Sequence, residues 1–204
     1  MLKNLKLIKK SVKILQNDGV IAVPTDTLYA LAASIESFKA IDKIFAIKGR
    51  SYKSPISLLI NAKESLNKYA IDIPNETWRL IDTFWPGPLT IVLKSSPKVP
   101  EILLAQSGKV GIRIPNNLLV QNIIQTLDSA ITGTSVNISG QADMISHKEI
   151  QKVFGNQIDL IIENTMPKIN IASTVLDLTV KPAIIIREGF IKKQSIQKII
   201  EIEQ

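Results

Sequence analysis

Arginine is rare in this chain and lies in segments suited to anion binding. Only four of the 25 basic residues are arginine, and three of them, Arg50, Arg113 and Arg187, have glycine, proline, serine or threonine neighbours. Because a guanidinium presents a planar set of donors, it suits two-point recognition of a carboxylate or a phosphate. These segments are therefore the first candidates for an anion-binding site. For each arginine taken alone, an ordinary surface ion pair is the alternative.

Hydroxyl-rich segments follow two apolar runs that are typical of strands. Residues 24–27 (PTDT) follow one run, and residues 132–140 (TGTSVNISG) combine four hydroxyls, an asparagine and two glycines. Open α/β sheets commonly bind ligands at the carboxyl ends of strands, and glycines let a nucleotide approach the backbone closely. The alternatives are that Asp26 only satisfies turn amides and that 132–140 is an ordinary polar loop. Ser173 and Thr174 form a further hydroxyl pair at a strand start.

The residue types that are absent narrow the possible chemistry. The sequence has no cysteine, one histidine (His147), no Walker A sequence and no G-x-G-x-x-G fingerprint. A metal centre built by the protein, a thiol nucleophile and a Ser-His-Asp triad are therefore all unsupported. His147 is interpreted as a surface residue, and residues 85–90 (WPGPLT) as a structural turn packed on the core. What remains is chemistry in which the substrates bring the nucleophile and leaving group, while the protein positions them and neutralises charge.

Composition indicates a globular protein whose positive charge fits an anionic ligand or a nucleic acid, although charge alone does not decide between them. The chain has 204 residues, is 45% hydrophobic and carries a formal net charge of +7, so it can bury a full core as one domain over residues 1–204. Dispersed lysine is nevertheless more often a solubility feature than a binding patch. Residues 1–16 lack the apolar core of a signal peptide, and no apolar run approaches the about 20 residues of a membrane span. We therefore expect a cytoplasmic protein, with which the lack of cysteine agrees.

Helical and strand periods alternate along the chain. Apolar residues recur at helical spacing from Leu5 to Leu15, Ser37 can cap a helix that ends near Lys48, and Asn61 and Ser146 each have capping-box spacing to a glutamate. This alternation favours an α/β sheet, and the clustering of the late strands predicts that part of it is antiparallel. The predicted strands are residues 20–23, 56–60, 89–94, 110–114, 130–134, 160–163, 174–178 and 183–186.

Seven of these segments, in order, resemble the motif series of the YrdC-like threonylcarbamoyl-AMP synthases. One such motif would be a weak signal, but seven in the family's order over nearly the whole chain make a specific match. They are residues 24–31 (PTDTLYAL), 47–50 (IKGR), 85–90 (WPGPLT), 110–115 (VGIRIP), 134–140 (TSVNISG), 173–175 (STV) and 187–189 (REG).

The resemblance implies a fold and an activity. The fold would be a twisted, open, mixed parallel and antiparallel sheet flanked by helices, with a concave positive face, in the short single-domain form of the family. The activity would be that of a nucleotidyltransferase that makes threonylcarbamoyl-AMP and pyrophosphate from L-threonine, bicarbonate or CO2, and ATP. A separate transferase complex, in transient or indirect contact, would then modify position 37 of tRNA. Binding of tRNA itself would be weak or absent.

The resemblance also assigns residues. L-threonine would be held by Thr27, Arg113, Ser135 and Ser173, with Arg113 pairing with its carboxylate. Lys48 and Arg50 would be catalytic by neutralising phosphate charge. Mg2+ would enter on the ATP phosphates rather than bind a metal site of the protein, and residues 51–54 are one candidate for a mobile segment over the site. The residues expected to contact ATP are Arg50, Ser54, Asn137, Ser146 and Arg187.

Two other functions remain as alternatives. One is a non-catalytic RNA-binding module that uses the same basic face, which would predict strong, salt-sensitive RNA affinity. Only 5% of the residues are aromatic, which leaves few platforms for stacking bases. The other is a related enzyme that forms a carbamoyl adenylate from carbamoyl phosphate within a larger maturation protein, against which the absence of fused domains and Cys/His modules argues.

Overall fold

The computed structural model describes residues 2–163 and 170–203. Within these residues helices alternate with strands, and two short 3-10 helices cover Lys63–Ser65 and Glu101–Leu103. The α-helices are α1 (Leu2–Gln16), α2 (Phe38–Lys48), α3 (Leu66–Tyr69), α4 (Asn75–Phe84), α5 (Leu118–Leu127), α6 (His147–Phe154) and α7 (Lys193–Gln197). The strands are β1 (Ile21–Pro24), β2 (Tyr29–Ala32), β3 (Ser57–Leu59), β4 (Ala70–Ile71), β5 (Leu89–Ser95), β6 (Lys109–Arg113), β7 (Ile131–Ser135), β8 (Leu160–Ile161), β9 (Thr174–Asp177) and β10 (Ile184–Arg187).

The strands form one mixed sheet. Its order is β10-β9-β5-β6-β3-β7-β2-β1-β8, and β4 pairs with β5 outside this path. Three pairs are parallel, namely β1 with β8, β3 with β6 and β5 with β9, whereas the other pairs are antiparallel. The prediction of an open mixed sheet flanked by helices is therefore confirmed, and the late pair β9 and β10 is antiparallel as expected.

Alternation of side chains gives the sheet two different faces. One face belongs to the main core, which contains Ile112 of β6 and Ile41 of α2. On the opposite face, α1 and α5 cover the region of β1, β2 and β7 with an apolar cluster that includes Val12 and Ile123. This second face continues across β3, β6, β5 and β9, where Arg113 and its neighbours line a cavity. The sequence pattern of β6, which alternates Val110 and Ile112 with Gly111 and Arg113, therefore separates core from site.

The local predictions were mostly right, with clear exceptions. Ser37 caps α2 by accepting a hydrogen bond from the backbone N–H of Ala40 at 3.0 Å, and Ser146 caps α6. A helix begins close to Asn61 as predicted, but the cap was wrong, because Ala62 precedes the 3-10 helix Lys63–Ser65 that leads into α3 and there is no side-chain cap. The Asn61 side chain instead accepts from Ser65 Oγ at 3.4 Å. Strands β2 and β4 and helices α4, α5 and α7 were not predicted.

No helix in the described part of the chain is both long enough and apolar enough to cross a membrane.

Candidate functional site

The second face of the sheet, beyond the region that α1 and α5 cover, holds a cavity of about 570 Å³. This size is typical of small-molecule sites. Residues of β3, β5, β7 and β9 contribute to its lining, several of them with hydroxyl side chains. The charged residues that line it are four cations and two carboxylates, namely Arg50, Lys109, Arg113, Arg187, Asp143 and Asp177. The cavity therefore suits an anion with polar substituents. The prediction of a concave, positive character for the whole face stays a prediction.

Arg113 is buried and fixed at the end of β6. Its Nε donates to the carbonyl oxygen of Gly87 at 2.8 Å, Nη1 donates to Thr27 Oγ1 at 2.9 Å, and Nη2 donates to Asp26 Oδ1 at 2.5 Å. A guanidinium has five N–H donors. Three are thus used by the protein, and two remain, one on each terminal nitrogen. Free N–H donors on a fixed guanidinium are suited to the oxygens of a carboxylate.

Asp26 is the residue that orients Arg113. Both side chains are more than nine-tenths buried, and Asp26 Oδ1 also accepts from the backbone N–H of Asn116 at 3.0 Å. Asp26 Oδ2 is buried without a hydrogen-bond partner among the described residues. Removing one member of such a pair leaves an uncompensated charge, which commonly costs about 3 to 5 kcal/mol. Asp26 therefore does more than satisfy turn amides, which was the alternative considered from the sequence.

The turn at residues 85–88 has both the predicted role and an unpredicted one. Trp85 is buried in the main core and its Nε1 donates to the carbonyl oxygen of Leu89 at 2.7 Å, as expected for a structural turn. In addition, the carbonyl oxygen of Gly87 accepts from Arg113, and the N–H of Gly87 donates to the carbonyl oxygen of Ile114 at 2.9 Å. The turn therefore holds the end of β6 in place through two hydrogen bonds.

Gly111 keeps the cavity floor open beside Arg113. A Cβ atom added at this position would lie 2.7 Å from Ser57 Oγ and 3.2 Å from Thr90 Cγ2. Contacts this short force a neighbour to move, so the floor between β3 and β5 accepts only glycine without rearrangement. This explains the glycine two residues before Arg113.

The structure brings the hydroxyls predicted to hold threonine to the same cavity as Arg113. Thr27, Ser135 and Ser173 all line it. Ser173 Oγ lies 3.0 Å from Thr90 Oγ1, and Ser135 Oγ donates to Asn137 Oδ1 at 3.1 Å. These contacts fix the hydroxyl positions, and each oxygen keeps further hydrogen-bonding capacity.

Arg50 and Arg187 line the cavity from different elements. Arg50 follows the end of α2, where Gly49 takes a left-handed conformation with φ of 55°, and its Nη2 donates to the carbonyl oxygen of Pro55 at 2.9 Å. Arg187 ends the edge strand β10, and its Nε and Nη2 donate to the carbonyl oxygen of Ser173 at 3.1 and 2.8 Å. Neither arginine forms an ion pair with a described carboxylate, so both charges are available to an anion.

Lys48 lies behind the cavity wall rather than among the residues that line it. Its Nζ donates to the carbonyl oxygens of Ser135 and Asn137 at 2.6 and 3.2 Å and to Asn137 Oδ1 at 2.5 Å. The carbonyl oxygen of Lys48 in turn accepts from the N–H of Ser139 at 2.8 Å. Lys48 therefore ties the loop after β7 to the end of α2. Charge neutralisation of phosphate by this residue stays a prediction.

The other three residues predicted to contact ATP also lie outside the cavity lining. Asn137 is buried beside Lys48, and its Nδ2 donates to the carbonyl oxygen of Gln141 at 2.7 Å. Ser54 contributes its backbone carbonyl oxygen to Arg50 Nε at 3.4 Å. Ser146 Oγ accepts from the N–H of Glu149 at 3.2 Å as the cap of α6. Their contacts with a nucleotide stay predictions.

The predicted mobile segment at residues 51–54 is held against α2. Tyr52 hydrogen-bonds through its hydroxyl to Asp42, and its ring centroid lies 4.6 Å from that of Phe45. The role of this segment as a cover for the site stays a prediction.

Sequence reasoning missed two charged residues of the cavity, Lys109 and Asp143. Lys109 lies four residues before Arg113 on β6, and its Nζ pairs with Asp177 Oδ2 at 2.9 Å. Strand alternation places Lys109 on the same face as Arg113, so this residue could have been predicted once β6 was assigned. Asp143, by contrast, lies in an irregular loop for which no periodic signal exists.

Lys48 should give the stability of the protein a pH dependence. Its pKa is lowered from the ordinary 10.5 to about 8, mainly by burial and also by the charge of Arg50, while Asp143 opposes the shift. Between these values the unfolded chain binds a proton that the folded protein has released, so the free energy of unfolding rises with pH. Relative to Lys48→Met, the wild type should gain about 1 to 3 kcal/mol between about pH 7 and pH 10 in urea unfolding. A difference that stays constant with pH would contradict this assignment.

No group of three or more histidine, aspartate or glutamate side chains that could hold a metal ion occurs in the described ranges, 2–163 and 170–203.

Comparisons with known proteins agree with this geometry. The profile of the Sua5/YciO/YrdC family, described as "Telomere recombination", matches residues 13–189. The chain is 33% identical over 193 residues to the threonylcarbamoyl-AMP synthase of Pyrococcus abyssi, covering 95% of this chain and 57% of that protein. It is 33% identical over 196 residues to a putative threonylcarbamoyl-AMP synthase of Methanocaldococcus jannaschii, covering 96% and 90%.

A solved structure extends the likeness to the fold. The crystal structure of P. abyssi Sua5 complexed with L-threonine superposes with a TM-score of 0.92 at 32% identity, covering 96% of this chain and 58% of that chain. The chain thus spans little more than half the length of the P. abyssi protein.

Proposed function

We propose a function from the following premise: this chain belongs to the Sua5/YciO/YrdC family. The proposed activity is that of a threonylcarbamoyl-AMP synthase, a nucleotidyltransferase that joins L-threonine, bicarbonate or CO2, and ATP. One observation carries the proposal. Arg113 is fixed by Asp26, Thr27 and Gly87 with two donors left, in the same cavity as Arg50 and Arg187. A carboxylate site beside a cationic site is what an amino acid and a nucleotide require.

The amino acid would bind at the Arg113 side of the cavity. Its carboxylate would take the two remaining N–H donors of Arg113, and Thr27, Ser135 and Ser173 would hydrogen-bond its polar groups. The relatives support this assignment, because the P. abyssi protein of the same fold was crystallised with L-threonine. Burial strengthens the ionic contact, since the charges interact in a region of low effective dielectric constant.

The nucleotide would bind at the side of Arg50 and Arg187, both of which have donors free. Asn137, Ser54 and Ser146 complete the proposed nucleotide set. Because these three lie outside the cavity lining, contact with ATP would require the segments 51–55 and 136–146 to shift toward it. Mg2+, when bound with ATP, would neutralise charge on the triphosphate.

The reaction needs no nucleophile from the protein. The neutral threonine amine attacks the carbon of CO2 and loses a proton to solvent, which gives a carbamate. A carbamate oxygen then attacks the α-phosphorus, and the bond to the pyrophosphate oxygen breaks. The role of the protein is to hold the carbamate oxygen in line with that bond and to stabilise charge on the departing pyrophosphate, for which Arg50 and Lys48 are the proposed groups.

The product, threonylcarbamoyl-AMP, would be consumed by a different enzyme. A mixed anhydride of this kind is an activated acyl donor, and a separate transferase complex in the cytoplasm would place the threonylcarbamoyl group on tRNA. Contact with that complex would be transient or indirect, and this chain would not need to bind tRNA strongly.

Release of pyrophosphate from ATP, measured with each substrate omitted in turn, tests the proposed function. We expect release to require L-threonine, bicarbonate and Mg2+ together and to be unchanged when tRNA is added, because the cavity has donor sets for threonine and nucleotide. ATP cleavage at the full rate without threonine would overturn the assignment. Salt-sensitive RNA binding without any pyrophosphate release would instead favour the RNA-binding alternative.

A further inference from the structure

Asp143 is a carboxylate in a part of the cavity where cations predominate. It lies in the loop between β7 and α6, is exposed and lines the cavity together with Arg50 and Arg187. Its charge interacts with two of the neighbouring cations, since it opposes the lowering of the pKa of Lys48 and of Arg187 that burial causes. Among the described residues, however, Asp143 forms no hydrogen bond and no ion pair within 4.0 Å.

The other carboxylate of the cavity is already engaged. Asp177 Oδ2 pairs with Lys109 Nζ at 2.9 Å, and Asp177 Oδ1 accepts from the N–H and the hydroxyl of Thr179 at 2.8 and 2.6 Å. Asp26 is paired with Arg113 and is not among the residues that line the cavity. Asp143 is therefore the carboxylate of the described cavity lining whose oxygens are free to bind something else.

Electrostatics limits what that ligand can be. The proposed function puts the triphosphate near Arg50 and Arg187, and a bare carboxylate beside it would repel the phosphate oxygens. A divalent cation between them reverses the sign of this interaction. Mg2+ prefers oxygen ligands and is commonly held by one or two carboxylates together with substrate phosphates and water. One free carboxylate next to a phosphate site fits this pattern.

We propose that Asp143 is the protein ligand of the Mg2+ ion that accompanies ATP. This inference rests on the proposed function, because it takes ATP as the nucleotide. When bound there, the metal would link the loop after β7 to the triphosphate. Asp143 would then favour MgATP over metal-free ATP, a selectivity that the arginines alone do not provide.

The test is the affinity for ATP in the absence of threonine, measured by isothermal titration with Mg2+ and again with EDTA. In Asp143→Asn we expect MgATP to bind about 5- to 30-fold more weakly, because a metal ligand is lost. Metal-free ATP should bind equally well or up to about 5-fold more tightly, because a negative charge beside the phosphates is removed. A loss of affinity for MgATP without a loss for metal-free ATP is not produced by a loss of structure.

Asp177→Asn is the matched control, since it removes a carboxylate of the same cavity that already has partners. It should change the affinities for MgATP and metal-free ATP by the same factor. A common factor in Asp143→Asn would overturn the metal assignment. So would an unchanged preference for MgATP combined with lost discrimination between ATP and its 2′-deoxy form, which would make Asp143 a ribose ligand. A wild-type protein that binds no ATP would overturn the proposed function as well.

Discussion

Replacing Arg113 with lysine is expected to weaken L-threonine binding by about 1.5 to 3 kcal/mol, the scale of charge-assisted hydrogen bonds. The reason is the number of N–H donors that each side chain offers. Arg113 uses three N–H groups on Gly87, Thr27 and Asp26 and leaves two for the substrate. A lysine ammonium has only three donors on a single atom, so it cannot satisfy these acceptors and a carboxylate together. Isothermal titration with L-threonine measures the loss.

Titration with ATP in the absence of threonine is the control for this prediction. ATP affinity should change little in Arg113→Lys, and the reverse pattern should hold for Arg187→Lys, whose donors face the proposed nucleotide side. Equal losses for both ligands in Arg113→Lys would indicate a collapsed site. The roles assigned to individual residues would then be contradicted, whereas the family membership would not be affected.

Truncating Arg50 should have the largest effect on the reaction itself. Arg50→Ala is expected to slow pyrophosphate release by about 2 to 4 kcal/mol in activation free energy and to weaken ATP binding, as when a donor that stabilises developing charge is removed. Arg50 lines the cavity and has no carboxylate partner among the described residues, so its charge is not already neutralised. Steady-state release of pyrophosphate measures the effect.

Arg79 provides the matched control for this truncation. It is the fourth arginine of the chain, lies exposed on α4 and does not line the cavity. Arg79→Ala should therefore behave like the wild type. If Arg50→Ala folds normally and keeps wild-type ATP affinity and turnover, Arg50 has only the surface role that was considered as an alternative.

The fold was largely predictable because its signals are local. The apolar runs that became β1, β5 and β6 were identified to within a residue or two, and the caps at Ser37 and Ser146 were correct. Strand β2 was not predicted, although residues 28–33 (LYALAA) form an apolar run directly after the hydroxyl-rich turn. A run this short does not by itself distinguish a strand from a buried helix segment. The cap assigned to Asn61 was wrong, because the residue before the helix is Ala62 and the helix opens as a 3-10 helix without a side-chain cap.

The site was predictable in composition but not in its internal contacts. Six of the ten predicted side chains line one cavity, namely Thr27, Arg50, Arg113, Ser135, Ser173 and Arg187. The pairing of Asp26 with Arg113 joins residues 87 apart in the chain, so no local pattern can reveal it. The same holds for Lys48, whose partners lie on the loop after β7. Such contacts depend on the order of the strands in the sheet, and local sequence patterns could not predict that order.

The contacts of Lys48 have a consequence for the distance between the reactants. One ammonium group holds Ser135, the last residue of β7, and Asn137 in the loop that follows, and the helix that carries Lys48 ends two residues before Arg50. Lys48 therefore couples Ser135, on the proposed amino-acid side, to the helix that leads to Arg50, on the proposed nucleotide side, so that a shift of residues 136–146 would act on both sides together. Because an error of about 1 Å in the distance between the reacting groups can cost about 100-fold in rate, a contact that moves both sides together would limit how far that distance changes when the nucleotide segments shift.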